Sequence, residues 1–248
     1  MLFSRGGLLL PQFGWQPPSF EVAYALYVAL IVALLLFTIG FQMRIFGIIA
    51  AAINLYFWFL SLHTFGTSYD RLYIVLLLVL AFSGADKVYS LRMYFRHGSL
   101  LSYEHISILA QRLIAVQITA TYLGVGWQKF VLPDWSQGGG EILAWGFMGL
   151  WASPLAWKIA QMHLPMWVYD GLVQIVMGFE FFLPIGLWIP KLRSWFFFGT
   201  AIFHLSIASL LSIPWFLILI PGNIVFLPPE QVHRWLKGRF GGWRSMHA

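Results

Sequence analysis

Residues 111–140 read QRLIAVQITATYLGVGWQKFVLPDWSQGGG. The first part predicts an apolar helix with Arg112 near its start and Lys129 at its end, followed by a Trp-Gly loop. An ionisable group inside a membrane helix costs a few kcal/mol or more, so it is seldom there without a role. The spacing gives these groups a shape. Ala115, Thr119, Tyr122, Gly126 and Lys129 recur at steps of three and four and therefore share one helix face. Leu113, Val116, Leu123 and Val125 point elsewhere, towards lipid or packed neighbours. Gly124 and Gly126 carry no Cβ, so a backbone or a flat ligand can come close to Lys129.

Outside this stretch the composition is that of a membrane protein. Of 248 residues, 60% are hydrophobic and 10% charged, against about 25% charged in a soluble domain. Mean hydropathy is +0.76. The apolar residues fall in long blocks, which predicts an all-α polytopic bundle. About seven segments are expected, near 22–41, 45–62, 71–85 (short for a span), 105–128, 166–189, 194–212 and 214–227. Residues 1–20 read as irregular, broken by Pro11, Pro17 and Pro18, and too short in their apolar run for a signal peptide. The Trp-rich stretch Glu141–Trp151 is expected at the membrane interface. No linker, low-complexity tract or repeat divides the chain, so a single transmembrane domain over 1–248 is expected, with a basic tail from 229. With no cysteine, disulfides, thiol catalysis and Cys-ligated clusters are excluded. The net charge of +6 comes from short loops and the tail, so it sets orientation and gives no sign of nucleic-acid binding.

Alternate loops then fall on alternate sides. One side receives Arg44, then Lys87, Arg92 and Arg96, then Lys191 and Arg193, then Arg234, Lys237, Arg239 and Arg244. The other receives Arg5, Arg71, Lys129 and Lys158. The positive-inside rule places the first set in the cytoplasm, with the N-terminus and the Lys129 loop outside. Depth along the helices then puts Arg112, Glu180 and His204 in one inner cluster. Lys129, about 25 Å from Arg112 along the helix, falls in an outer one with His63, Asp70, Arg71, Asp134 and Asp170.

Each polar group has a plain reading beside a functional one. Lys129 is either a snorkelling anchor beside Trp127 and Trp135 or a base whose amine is tuned by desolvation or a neighbouring cation. Arg112 and Glu180 neutralise each other between helices, or mark a proton route. His204 is a hydrogen-bonding residue of the bundle, or a catalytic or quinone-binding one. His63 and His204 lie at different depths and do not suit a bis-His haem. No metal-binding spacing occurs, so no metal is expected. The 13 Trp and 23 Phe form packing surfaces and interfacial belts, or line a slot for a ring. Gly138–Gly140 lacks phosphate-loop spacing and reads as a flexible lid or turn.

The ordered set Arg112, Gln117, Tyr122, Gly126–Trp127–Gln128–Lys129–Phe130, Trp135 and Gly138 resembles the core signature of the horizontally transferred transmembrane (HTTM) domain family. These are bacterial relatives of the vitamin K-dependent gamma-carboxylase. LAFSGADKVYSL at 80–91, Glu180 with Pro184 and then Arg193, His204–Leu205, and FLPPE at 226–230 resemble further family segments in order, over about 50–230. The resemblance implies a quinol, vitamin K-like, as cofactor. It also implies that Lys129 is the base that deprotonates the quinol, in a carboxylase- or epoxidase-like reaction on the outer face. Departures are visible too. Ser68–Tyr69 stands where the carboxylase has an Asn-His pair, and its large lumenal domain has no counterpart. A membrane helix that family members carry before the segment resembling GGLLLP is expected upstream of Met1. The resemblance therefore bears more on fold than on glutamate carboxylation.

The expected site comprises Lys129, His204 and Glu180 as catalytic residues, with Tyr122, Gly126, Trp127, Trp135 and Arg112 lining a ligand. The setting expected is a bacterial inner membrane, with lipid as the first partner and the C-terminus cytoplasmic. An alternative from another class is a non-catalytic accessory subunit of a larger respiratory or photosynthetic membrane complex. A transporter ranks third, because no repeat or pair of broken helices supports it.

Overall fold

A computed structural model describes residues 17–65, 68–100, 102–240 and 244–245. The irregular N-terminal stretch to Gln16, with Arg5 and Pro11, and the loop residues Gly66 and Thr67 lie outside the described residues, as does the side chain of His63. The described chain is helical, apart from a two-residue parallel pairing of Ser102–Tyr103 with Arg244–Ser245. It forms two compact units, one of residues 1–114 and 228–248, the other of residues 115–227.

The first unit is built on helices α1 (Phe20–Thr38), α2 (Met43–Phe65) and α3 (Ser68–Ala81). Ser19 opens α1 by accepting a hydrogen bond from Val22 N, leaving fewer orphan donors at its start. Leu30, Ala33 and Phe37 of α1, Ala50 and Ala51 of α2, and Ile74, Leu77 and Ala81 of α3 make one core. Small residues at 33, 50, 51 and 81 let the helices approach where lipid supplies no hydrophobic drive. Outward residues such as Tyr24, Val32 and Ile48 remain exposed, as a lipid-facing surface requires. A short helix α4 (Leu91–His97) follows, capped by Ser90 and closed by Gly98 at φ 69°. Beside it, Glu104 takes Lys87 at 3.2 Å and Arg96 at 3.0 Å, while Asp86 takes Arg92 at 2.5 Å.

Helix α5 (Leu109–Val131) begins in the first unit and carries the decisive stretch into the second. Two short helices follow, α6 (Pro133–Ser136) and α7 (Gly139–Gly146), then α8 (Pro154–Gln161). Long helices α9 (Met166–Trp188) and α10 (Arg193–Leu210) complete the frame. The last segment of the unit is broken into a 3-10 turn at Pro214–Ile218, helix α11 (Leu219–Gly222) and a second 3-10 turn at Asn223–Phe226. Helix α12 (Pro229–Phe240) belongs to the first unit.

Gly138–Gly140 is not the flexible lid or turn expected from its composition. Gly139 and Gly140 form the first turn of α7, and Gly140 N donates to Asp170 Oδ1 at 3.0 Å. A Cβ at Gly139 would meet the Val173 side chain, and one at Gly140 would meet Asp170. The missing side chains are what let α7 lie on α9.

Among the described residues, three helices are long and apolar enough to cross a membrane: Phe20–Thr38, Met43–Leu60 and Met166–Trp188. Counting the bent pair Pro214–Phe226 and Pro229–Trp235 gives up to four. Two of the segments that fall short of the expected seven do so for a physical reason. α3 has 14 residues, roughly 21 Å, against a ~30 Å hydrocarbon core. α5 is long enough but carries Gln111, Arg112, Gln117, Thr119, Thr121, Gln128 and Lys129.

Candidate functional site

The site is assembled within the second unit by α5, α9 and α10. The register of α5 against α9 follows from two contacts. Trp188 Nε1 donates to Thr119 Oγ1 at 2.9 Å, and Lys129 Nζ donates to both Glu180 oxygens at 2.7 Å. Position rises along α5 as it falls along α9, so the helices run antiparallel. Their ends are offset by roughly ten residues, about 15 Å. The space that a flush α5 would occupy beside the first half of α9 is taken by α7.

This offset corrects the depth sorting read from the sequence. Glu180 is the partner of Lys129, not of Arg112. The sequence argument counted residues from aligned helix ends, and the ends are not aligned. Arg112 lies in the first unit and is exposed. Lys129 is not a dangling anchor. Its side chain is 17% exposed and that of Glu180 9%, and the ammonium lies 5.0 Å from the centre of the Trp135 ring. Both carboxylate oxygens and an aromatic face therefore hold one amine.

Local sequence explains the crossing. At Gly126 the backbones of the two helices approach, and a Cβ there would sit 3.5 Å from Phe181 N. Pro184 continues α9 but has no N–H for the carbonyl of Glu180 four residues before it. The helix is thus one backbone bond short at the residue that carries the carboxylate.

About two turns before Lys129, Tyr122 is buried and its hydroxyl shares a hydrogen bond with His204 Nε2 of α10. Phe203 and Phe216 flank the His204 ring, with centroids at 5.1 Å and 6.2 Å. Of the face read from spacing, Ala115, Tyr122 and Gly126 are buried, while Thr119 and Lys129 are partly so. Ile114 and Ile118 are buried as well. Gly124 and Trp127 face away from the site. A Cβ on Gly124 would meet nothing within 4 Å, and Trp127 is exposed and stacks on Phe130. Trp135 joins the site. Asp134 and Asp170 are exposed, and Asp170 serves α7 as described above. Among the described residues no group of three or more His, Cys, Asp or Glu is placed to hold a metal.

Sequence reasoning missed two participants, Trp188 and Thr119 as its acceptor, and it passed over Asn223 elsewhere in the unit. Asn223 is fully buried, in a stretch, PGN at 221–223, whose residue types signal only a turn.

A helical bundle with apolar outward faces and a buried ion pair between helices defines an integral membrane protein. The comparison with protein families is specific within that class: the HTTM domain matches residues 10–230, and the chain belongs to that family. No curated protein and no solved structure matches it significantly.

Proposed function

We propose that this protein deprotonates the hydroxyl of a lipophilic ring, of which a quinol is the leading candidate, with the Lys129–Glu180 pair as the base unit. The observation that carries the reading is the pair itself: two oxygens at 2.7 Å from one amine, enclosed on a helix whose apolar setting makes an isolated charge costly. The pair as a whole is neutral. Moving one proton from the ammonium to the carboxylate leaves it neutral and frees the lone pair of Lys129 Nζ. The amine then takes the ring hydroxyl's proton, and the resulting ammonium stands beside the ring oxyanion. Tyr122 and Gly126 shape the approach along α5, and Trp135 covers the amine. His204 holds the Tyr122 hydroxyl in place. Glutamate carboxylation is not part of the proposal.

The resemblance of the Tyr122–Gly138 segment to the carboxylase also supports the reading, since it implies a base at the lysine of this helix end. The setting proposed is a bacterial inner membrane, with Lys129 near the outer face. The test uses purified protein in lipid nanodiscs and an added naphthoquinol, whose oxidation in air accelerates on deprotonation. Lys129→Ala is expected to lower the protein-dependent rate by about 100-fold or more, the usual contribution of a positioned base. Equal rates for wild type and Lys129→Ala would end the proposal. The accessory-subunit reading then becomes testable by native purification: co-migration with a large complex favours it.

A further inference from the structure

The first unit carries a basic and aromatic surface at the end of its spans. Helices α1 and α2 are long and apolar enough to cross a membrane, so the turn at 39–42 between them marks where the chain leaves the hydrocarbon. Helix α4 is fastened to that turn. Leu91 N donates to Ile39 O at 2.8 Å. Gly40 lies so close to Ser90 that a Cβ on it would meet the serine side chain. Phe95 follows Leu91 by four residues, about 6 Å along the helix. Whatever the tilt of α4, Phe95 therefore lies close to the membrane surface.

α4 has an inner and an outer face. Met93 is fully buried, whereas Phe95 is 70% exposed. Arg92 and Arg96, one turn apart, share a flank beside Phe95, and their side chains are 45% and 57% exposed. Each gives an N–H to a largely covered carboxylate, Arg92 to Asp86 and Arg96 to Glu104. A guanidinium has five donors, so each keeps others for a second acceptor. Arg44, exposed at the start of α2, has its guanidinium 5.5 Å from the centre of the exposed Phe82 ring. The tail belongs to the same unit. The backbone of Arg244–Ser245 pairs with Ser102–Tyr103, just before Glu104, and Arg234 and Trp235 of α12 are exposed. Only Asp86, Glu104 and Glu230 oppose these cations in the loop at 82–108 and the tail.

We propose that α4 and Arg44 form a docking surface for anionic phospholipid headgroups of the phosphatidylglycerol type, in the leaflet that meets the turn between α1 and α2. Phe95 enters the acyl boundary, and Arg92 and Arg96 hold phosphate oxygens through their free N–H donors. A zwitterionic lipid offers the same phosphate, but its own cation opposes the arginines, so net charge selects the lipid. The position of α4 at the end of two spans sets headgroups, rather than a soluble acidic protein, against it.

The test extracts the protein from membranes holding equal parts of phosphatidylglycerol and phosphatidylcholine with matched acyl chains, and counts the lipids that stay bound by mass spectrometry. Wild type is expected to enrich the anionic lipid by about tenfold or more, and to lose most of that enrichment in about 1 M salt. Arg92→Gln with Arg96→Gln is expected to lower it by about fivefold or more, at least the attraction of one surface arginine. Lys158→Gln, in the second unit, leaves it unchanged. Equal retention of the two lipids by wild type overturns the proposal, as does an enrichment that the double variant keeps; either result leaves α4 to water or to an acidic soluble partner. Should the double variant fail to fold, Phe95→Cys in the cysteine-free chain takes a nitroxide label in nanodiscs. Protection from a neutral, water-soluble nickel chelate that is greater in mixed discs than in pure phosphatidylcholine supports the docking. Ready access of the chelate, or equal protection in both discs, overturns it. Both readouts sample both leaflets and neither involves Lys129, so this surface and the base stand or fall separately.

Discussion

Lys129 and Glu180 give the clearest energetic expectation. Removing one member of a buried ion pair strands the other charge, at a typical cost of about 3–5 kcal/mol. Lys129→Ala and Glu180→Leu are each expected to destabilise the protein by about that much in a detergent unfolding titration. The double variant Lys129→Met with Glu180→Leu is expected to recover most of the loss, because an apolar pair fits the same setting. Additive losses would show that the two side chains do not act on each other. Glu104, outside the spans, gives a pH expectation. The Lys87 hydrogen bond, helped by the charges of Lys87, Arg96 and Arg92, holds its carboxyl below the usual glutamate value. A depressed folded-state value means stabilisation that is complete above the unfolded value and lost as pH falls through the folded one. The acid limb of a stability profile is therefore expected to flatten in Glu104→Gln. An unchanged acid limb would show that the cluster contributes nothing.

At the scale of the element, the packing of α7 on α9 depends on two missing side chains. Gly139→Val is expected to cost about 1–3 kcal/mol, as overpacking does, and to free α7 for proteolysis. Gly126→Ala is expected to be nearly neutral, since its new methyl would meet Phe181 at ordinary contact distance. Gly126→Leu has no such room. The difference between these glycines was not legible in the sequence, where both simply break the pattern of large residues. What was legible is the periodic face of α5, because spacing of three and four is a property of one helix alone. Apolar blocks located the helices for the same reason. The partner of Lys129 was not legible, because it depends on how far α5 slides along α9, and that offset is set by α7 and by the approach at Gly126. Asn223 was invisible for a related reason: an amide in a turn signals nothing until its surroundings are known to be dry.

For the whole molecule the open question is the path through the membrane, and the absence of cysteine makes it accessible to single-cysteine labelling. The segment 214–226 decides the fate of the tail. It has 13 residues in three short pieces. Even at the 3-10 rise of about 2 Å per residue it reaches roughly 26 Å, marginal for a ~30 Å core. Length alone therefore does not choose between a crossing and a return to the same face. Charge favours a crossing: Arg234, Lys237, Arg239 and Arg244 follow within the tail, and the positive-inside rule predicts such residues on the cytoplasmic side. The paired carboxylates at Asp86 and Glu104 leave this count intact, since acidic residues weigh little in the rule. With a membrane-impermeant maleimide on intact cells, Lys158→Cys is expected to label. Lys191→Cys and Arg234→Cys are expected to label only after lysis. Labelling of Arg234→Cys from outside, with Lys191→Cys still protected, would make 214–226 a re-entrant segment and place the tail on the opposite face. Labelling of Lys191→Cys from outside would reverse the whole orientation, and with it the side from which a ligand reaches Lys129.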